Sequence, residues 1–157
     1  MAGVIAAGGA SVILMHMKGE PGTMQDDPVY GDVMKEISAY LAESIYRAEM
    51  AGIGADRIAI DPGIGFGKRT GHNLEILRRL AEFRVLGKPI LVGTSRKSFI
   101  GELTGRAPGE RAFGTAASVA IAIMNGADIV RVHDVRAMKD VAMVTDAIVR
   151  KKEKVDV

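Results

Sequence analysis

The sequence predicts an α/β protein built on a parallel sheet. Short apolar, β-branched runs recur along the chain, and stretches with helical spacing of apolar residues lie between them. Chemically loaded residues follow each of those runs, which narrows the architecture further. The runs cover residues 11–15, 57–60, 89–92 and 128–132, and each reads as a buried strand.

The elements follow in order. Residues 1–8 read as the end of a helix, ahead of the first strand. Met34, Ile37, Leu41, Ile45 and Ala48 form one apolar helical stripe, stopped by Gly52. Leu74, Leu77 and Leu80 form a second, ended by Gly87 and Pro89. After the third strand, the segment GTSRKS at 93–98 opens a helix. Ala112, Ala116, Val119, Ala120 and Ile123 make a third stripe, ended by Asn125 and Gly126; Met138, Val141, Thr145 and Ile148 make the last.

Strand then helix, four times over, implies right-handed βαβ crossovers and an all-parallel sheet. A doubly wound sheet and a (β/α) barrel both satisfy that pattern. The doubly wound nucleotide-binding sheets place a glycine-rich turn after the first strand. Here the first strand is followed by HMKGEPGTM, and neither GxGxxG before a helix nor GxxxxGK[ST] occurs. Polar groups instead gather after several strands: His16, Asp61, the Ser95-Arg96-Lys97 run, and Arg131 to Asp134. That is the habit of a barrel. A (β/α)8 barrel of the TIM type takes about 250 residues. The expectation is therefore one domain over residues 1–157, representing the second half of such a barrel.

Composition excludes several classes. The chain has 157 residues, 48% hydrophobic and 25% charged, ordinary for a globular domain. It contains no cysteine, so disulfides and thiolate metal sites are ruled out. No apolar run is long enough to span a membrane. The apolar N-terminal stretch lacks the basic residues that open a secretory signal, so a cytoplasmic setting is the expectation. Aromatics are 4%, tryptophan is absent, and the only basic run, at 150–154, reads as a solvated helix end. The net charge of +2 fits a small anionic ligand better than a nucleic acid.

Three segments carry chemistry. In DPGIGFGK, residues 61–68, Pro62 holds Asp61 extended, and glycines follow at 63, 65 and 67. A carboxylate at a strand end can accept paired hydrogen bonds from an N–H beside an NH2 on a flat ring. The same aspartate could equally cap a tight loop. The 93–98 segment offers hydroxyls and two cations at a helix N-terminus, suited to an anion or polar ring. On the fourth strand, Ile129, Arg131 and His133 fall on one face at two-residue spacing. Arg131 and His133 then need a partner, either an anionic ligand or an internal acid such as Asp134 or Asp61. A metal triad of Asp61, His16 and His133 lacks any short ligand spacing. No GxSxG elbow supports a serine nucleophile.

Taken together and in order, LMHMKGEPGTMQ, DPGIGFGK, GTSRKSFIG and RVHDV resemble the C-terminal half of the dihydropteroate synthase family, essentially from end to end of this chain. The resemblance implies an eight-stranded (β/α) barrel. It also implies condensation of 6-hydroxymethyl-7,8-dihydropterin diphosphate with p-aminobenzoate, giving dihydropteroate and diphosphate, in folate biosynthesis. Mg2+ accompanies the diphosphate, with its protein ligand expected outside the region matched here. Asp61 then binds the amino-pyrimidine edge of the pterin, and Lys97 its oxo side. Met15, Gly65, Phe66, Gly93 and Arg96 shape or cover the slot, and Ser98 meets the aminobenzoate carboxylate. Arg131 and His133 hold the departing diphosphate, so Lys97, Arg131 and His133 carry the catalytic roles. A homodimer or larger assembly is implied. The family's N-terminal units supply an Asn at the metal–diphosphate, further pterin contacts and two mobile loops, so these 157 residues alone are expected to turn over weakly or not at all. Two other readings are a folate- or pterin-dependent methyltransferase barrel and a non-catalytic half-barrel module.

Overall fold

The computed structural model describes residues 1–150 apart from 21, 25 and 27. The basic run at 150–154 therefore lies, beyond Arg150, outside the described residues.

Four strands form: β1 (Val12–Met15), β2 (Ile58–Asp61), β3 (Leu91–Val92) and β4 (Ile129–Val130). β1 pairs with β2 and β3 with β4, both in parallel, and a parallel bridge from Ile60 to Ile90 joins the two pairs. Each strand is thus laid beside its predecessor, in the order β1-β2-β3-β4. A doubly wound sheet reverses its order at a switch point; this one does not. It curls one way, as half of a barrel.

The helices are α1 (Ala2–Gly8), α2 (Val33–Met50), α3 (Thr70–Arg78), α4 (Ser98–Thr104), α5 (Ala112–Met124) and α6 (Val135–Val149). In α2, Asp32 caps the N-terminus by accepting the Met34 and Lys35 N–H groups at 3.1 Å, worth about 1 kcal/mol. Val33, Met34, Ile37, Leu41, Ile45 and Ala48 form its buried stripe. Full burial of Ile37 or Leu41 contributes roughly 1.5–3 kcal/mol each. The stripe packs with Ile58, Ile60, Ile90 and Val92 from the strands, and with Ile76, Leu80 and Phe83 after them, in one core.

Strand parity sorts the rest. Val12, Leu14, Ile58, Ile60, Ile90, Val92 and Val130 face the helical core. Their neighbours Ile13, Met15, Ala59, Asp61, Leu91, Gly93, Ile129 and Arg131 fall on the opposite, inner face. The site residues from all four strands thus share one surface, near its C-terminal end. At the two sheet edges this inner face is open: Ile13 is 47% exposed and Ile129 42%.

Three expectations need correction. The run 128–132 yields a two-residue strand, because the Asp128 carboxylate, not a strand neighbour, accepts the Ile90 N–H at 2.9 Å. The ladder persists through Arg131, whose N–H donates to Val92 O, but His133 turns away and donates its N–H to Ser95 Oγ. Arg131 and His133 therefore lie beyond the strand and not on it, though both line one cleft. Finally, the stripe through Leu80 is not one helix; α3 ends at Arg78 and a 3-10 segment, Leu80–Leu86, buries Leu80 and Phe83.

Candidate active site

Asp61 closes β2 with only 1% of its surface exposed. Its Oδ1 accepts the Gly63 N–H at 2.8 Å, and its Oδ2 pairs with Arg131 Nη2 at 3.1 Å. Of the two readings left open by the sequence, the loop cap is present at Oδ1, and Oδ2 is engaged by Arg131. Arg131 reaches Asp61 from β4 across β3. It passes close over Gly93: a Cβ there would stand 3.1 Å from Arg131 Nη2 and 3.2 Å from Nε, so a larger residue would require the guanidinium to shift by a few tenths of an ångström.

The glycines after Asp61 are explained by backbone packing. Gly63 has φ +71°, and an added Cβ would lie 1.9 Å from His16 O; at Gly67, φ +63°, it would lie 2.2 Å from Lys18 O. Only residues without a Cβ let this loop lie against the chain leaving β1. The Gly65 N–H is fixed by the buried Asn73 Oδ1 at 2.8 Å, and Tyr30 Oη donates to Gly67 O at 2.8 Å.

Lys97, preceding α4, donates to Ile64 O and sets its Nζ 4.0 Å from the centroid of the Phe66 ring, a cation–π contact. Burial first, and then the nearby Arg131 charge, lower its pKa to about 8, against the pull of Asp61. Asp61 itself is raised by burial, opposed by the Gly63 N–H and by Arg131, Lys97 and Lys68. Gly93, Ser95, Lys97, Arg131, Val132 and His133 line a cleft of about 180 Å3. In it His133 Nδ1 lies 2.9 Å from Ser95 Oγ.

Not every expected residue joins this cluster. Met15 pairs in register with Asp61 but lies half-buried at the sheet edge. Ser98 is exposed at the first turn of α4. Arg96 is engaged elsewhere: Nη2 and Nε bind the two Asp134 oxygens at 2.7 and 3.2 Å. Arg96 has a left-handed backbone, φ +58°, unique among the described non-glycine residues. That conformation is held by Thr115 Oγ1 at its N–H and by Arg111 Nη1 at its carbonyl, 3.1 and 2.9 Å away. Arg111 also donates to Lys97 O at 3.1 Å.

Sequence reasoning gave no role to Lys68, Asn73 or Arg111, and counted Ser95 among the hydroxyls of the 93–98 segment without its contact to His133. Lys68 had a signal, since it ends the DPGIGFGK segment. Asn73, Ser95 and Arg111 act on backbone or on a neighbouring residue, and no spacing rule points to such contacts. A larger cavity, about 480 Å3, lies among Leu74, Leu77, Phe99, Ile100, Leu103 and Ile121. It is largely apolar, with Arg78 also in its wall, and shares no lining residue with the cleft at Lys97 and Arg131.

Residues 1–133 match the family model described as pterin binding enzyme. The chain belongs to that family. Among curated pterin-binding relatives, it is 48% identical to the dihydropteroate synthase of Escherichia coli strain K12 over 145 residues, covering 92% of this chain and 51% of the relative. It is 46% identical to that of Synechocystis, covering 90% and 49%. Among solved structures of the family, the Yersinia pestis dihydropteroate synthase in a sulfonamide drug complex superposes with TM-score 0.92 at 40% identity, over 94% of this chain and 54% of that one. The Thermus thermophilus enzyme in complex with 6HMPPP gives 0.88 at 43%, over 94% and 59%. The chain spans about half the length of these pterin-binding relatives, and its half-barrel is the corresponding part of their fold.

Proposed function

We propose that the chain supplies the pterin and diphosphate contacts of a dihydropteroate synthase, acting in the cytoplasm in folate biosynthesis. The observation that carries this is one buried carboxylate at a strand end, Asp61, with Lys68, Lys97 and Arg131 gathered around it. One anion among three cations suits a flat ring with an amidine-like edge attached to a strongly anionic group.

The chemistry asked of these residues is modest. The bond from the pterin methylene carbon to the diphosphate oxygen breaks, its electron pair leaving with diphosphate. The aniline nitrogen of p-aminobenzoate then forms the new C–N bond and loses a proton. Asp61 holds the ring edge and stabilises positive charge developing on the pterin methylene. Arg131, half-exposed and paired with Asp61, exchanges Asp61 for the diphosphate as it enters. His133 and Lys97, lining the same cleft, take up the charge of the leaving group. Phe66 covers the ring, and Ser98 at the opening of α4 receives the aminobenzoate carboxylate. Mg2+ is expected with the diphosphate, yet among the described residues no three His, Asp or Glu side chains converge to hold an ion. A pterin-dependent methyltransferase shares the ring-binding carboxylate but has no use for cations placed to receive a diphosphate.

Titration of the chain with 6-hydroxymethyl-7,8-dihydropterin diphosphate tests the reading. Saturable binding, competed by 6-hydroxymethylpterin and more weakly by free diphosphate, is the expected result. Binding of neither moiety contradicts it.

Self-association belongs to the same proposal. β1 and β4 each have one free edge among the described residues, and Ile13 and Ile129 stand exposed beside those edges. Unpaired parallel edges flanked by apolar surface favour association. Sedimentation at micromolar concentration is expected to show a dimer or larger species; a stable monomer argues against it.

A further inference from the structure

We propose that Lys68, on the reading above that Asp61 binds the pterin edge, is a positioning residue that keeps Asp61 ionised and the glycine loop seated, through a buried contact with His16. Lys68 is only 3% exposed and His16 4%, though lysine is among the residues least often buried. Its Nζ lies 2.9 Å from His16 Nδ1 and donates to Phe66 O at 3.0 Å. An ammonium has donors only, so His16 Nδ1 is the acceptor and the imidazole proton sits on Nε2. His16 is itself fixed, edge-on to Tyr40 with ring centroids 4.9 Å apart and inclined to Tyr30 at 6.2 Å. The pair thus ties the far end of the Asp61 loop to the segment leaving β1, and sets Lys68 Nζ 3.4 Å from where a Cβ on Gly63 would stand, beside the residue whose N–H Asp61 accepts.

The charged neighbours act in a consistent sense. Asp61 faces Arg131 from β4, Lys97 from the loop after β3, and Lys68 from its own loop. Lys68 faces Asp61, which supports its charge, and Lys97, which opposes it. His16 faces Lys68 and Lys18, with Glu36 of α2 opposing them, and burial together with those cations holds its pKa near 4, so it stays a neutral acceptor. Burial lowers Lys68 to about 7. Below that pH the ammonium is therefore charged. Arg131 is half-exposed and leaves for the diphosphate; Lys68 is buried and stays.

The test is the pH dependence of pterin binding by the chain, using 6-hydroxymethylpterin as the probe, in wild type and Lys68→Met. Binding needs the Asp61 carboxylate and is lost as pH falls through its pKa. Removing the cation raises that pKa, so the acid midpoint should move up, and below both midpoints binding should weaken by the matching factor, tenfold for each unit of movement. A purely structural role lowers affinity by the same factor at every pH and leaves the midpoint in place, and that result overturns the inference. The coupling is also reciprocal. If Lys68→Met does not fold, or the wild-type chain binds no pterin, the 15N signal of Lys68 Nζ is followed in Asp61→Asn without any ligand. Loss of the Asp61 charge should lower the Lys68 midpoint, and an unchanged midpoint overturns the coupling. Absent pterin binding in wild type sinks the functional reading alone; an unmoved midpoint sinks only the role of Lys68.

Discussion

Asp61→Asn is expected to weaken pterin binding by roughly 1.5–3 kcal/mol, on the order of 10- to 100-fold, the scale of charge-assisted hydrogen bonds lost at a buried site. The substitution is isosteric and leaves Oδ1 able to accept the Gly63 N–H, so the loop cap survives. What it removes is the charge shared with Arg131 and an acceptor for the ring edge. An amide placed there also turns a donor toward ring N–H groups. Isothermal titration of both proteins with pterin diphosphate, with thermal melts run beside it, separates binding from folding. Equal affinity would leave the carboxylate with a loop-capping role only.

Much of this site was legible because strand parity is a strict rule. Once four parallel strands are assigned, residues at two-residue spacing share a face, and Met15, Asp61, Gly93 and Arg131 emerge on the inner one. The longest helix was equally readable, since the α2 stripe follows the 3.6-residue period. Failures came where side chains displaced backbone hydrogen bonds. Asp128 takes the Ile90 N–H and cuts β4 short, and Ser95 takes the His133 N–H and turns that residue off the strand. No periodicity carries such information. The glycines at 63 and 67 stand out in the sequence, but the neighbour that requires them does not. Their missing Cβ atoms make room for the carbonyls of His16 and Lys18, contacts between segments some fifty residues apart. Arg96 was legible as a cation but not as one committed to Asp134, since that pairing spans 38 residues.

The central claim is that these residues are one half of a dihydropteroate synthase site, and turnover tests it most directly. The chain covers about half of its relatives' length, and both outer strands present a free edge among the described residues. Asp61, Lys97 and Phe66 can hold a ring weakly, each missing buried hydrogen bond costing on the order of 1 kcal/mol. Chemistry suffers more, because aminobenzoate and the Mg2+–diphosphate must be placed together, and an error of about 1 Å costs on the order of 100-fold in rate. The measurement is diphosphate release from pterin diphosphate and p-aminobenzoate, by the 157-residue chain alone and after addition of the N-terminal half of a close relative such as the E. coli enzyme. The account predicts little or no release by the chain alone and a rise of about 100-fold or more in the mixture, abolished when the chain carries Asp61→Asn. A mixture no faster than its separate parts, or full turnover by the isolated chain, would contradict it.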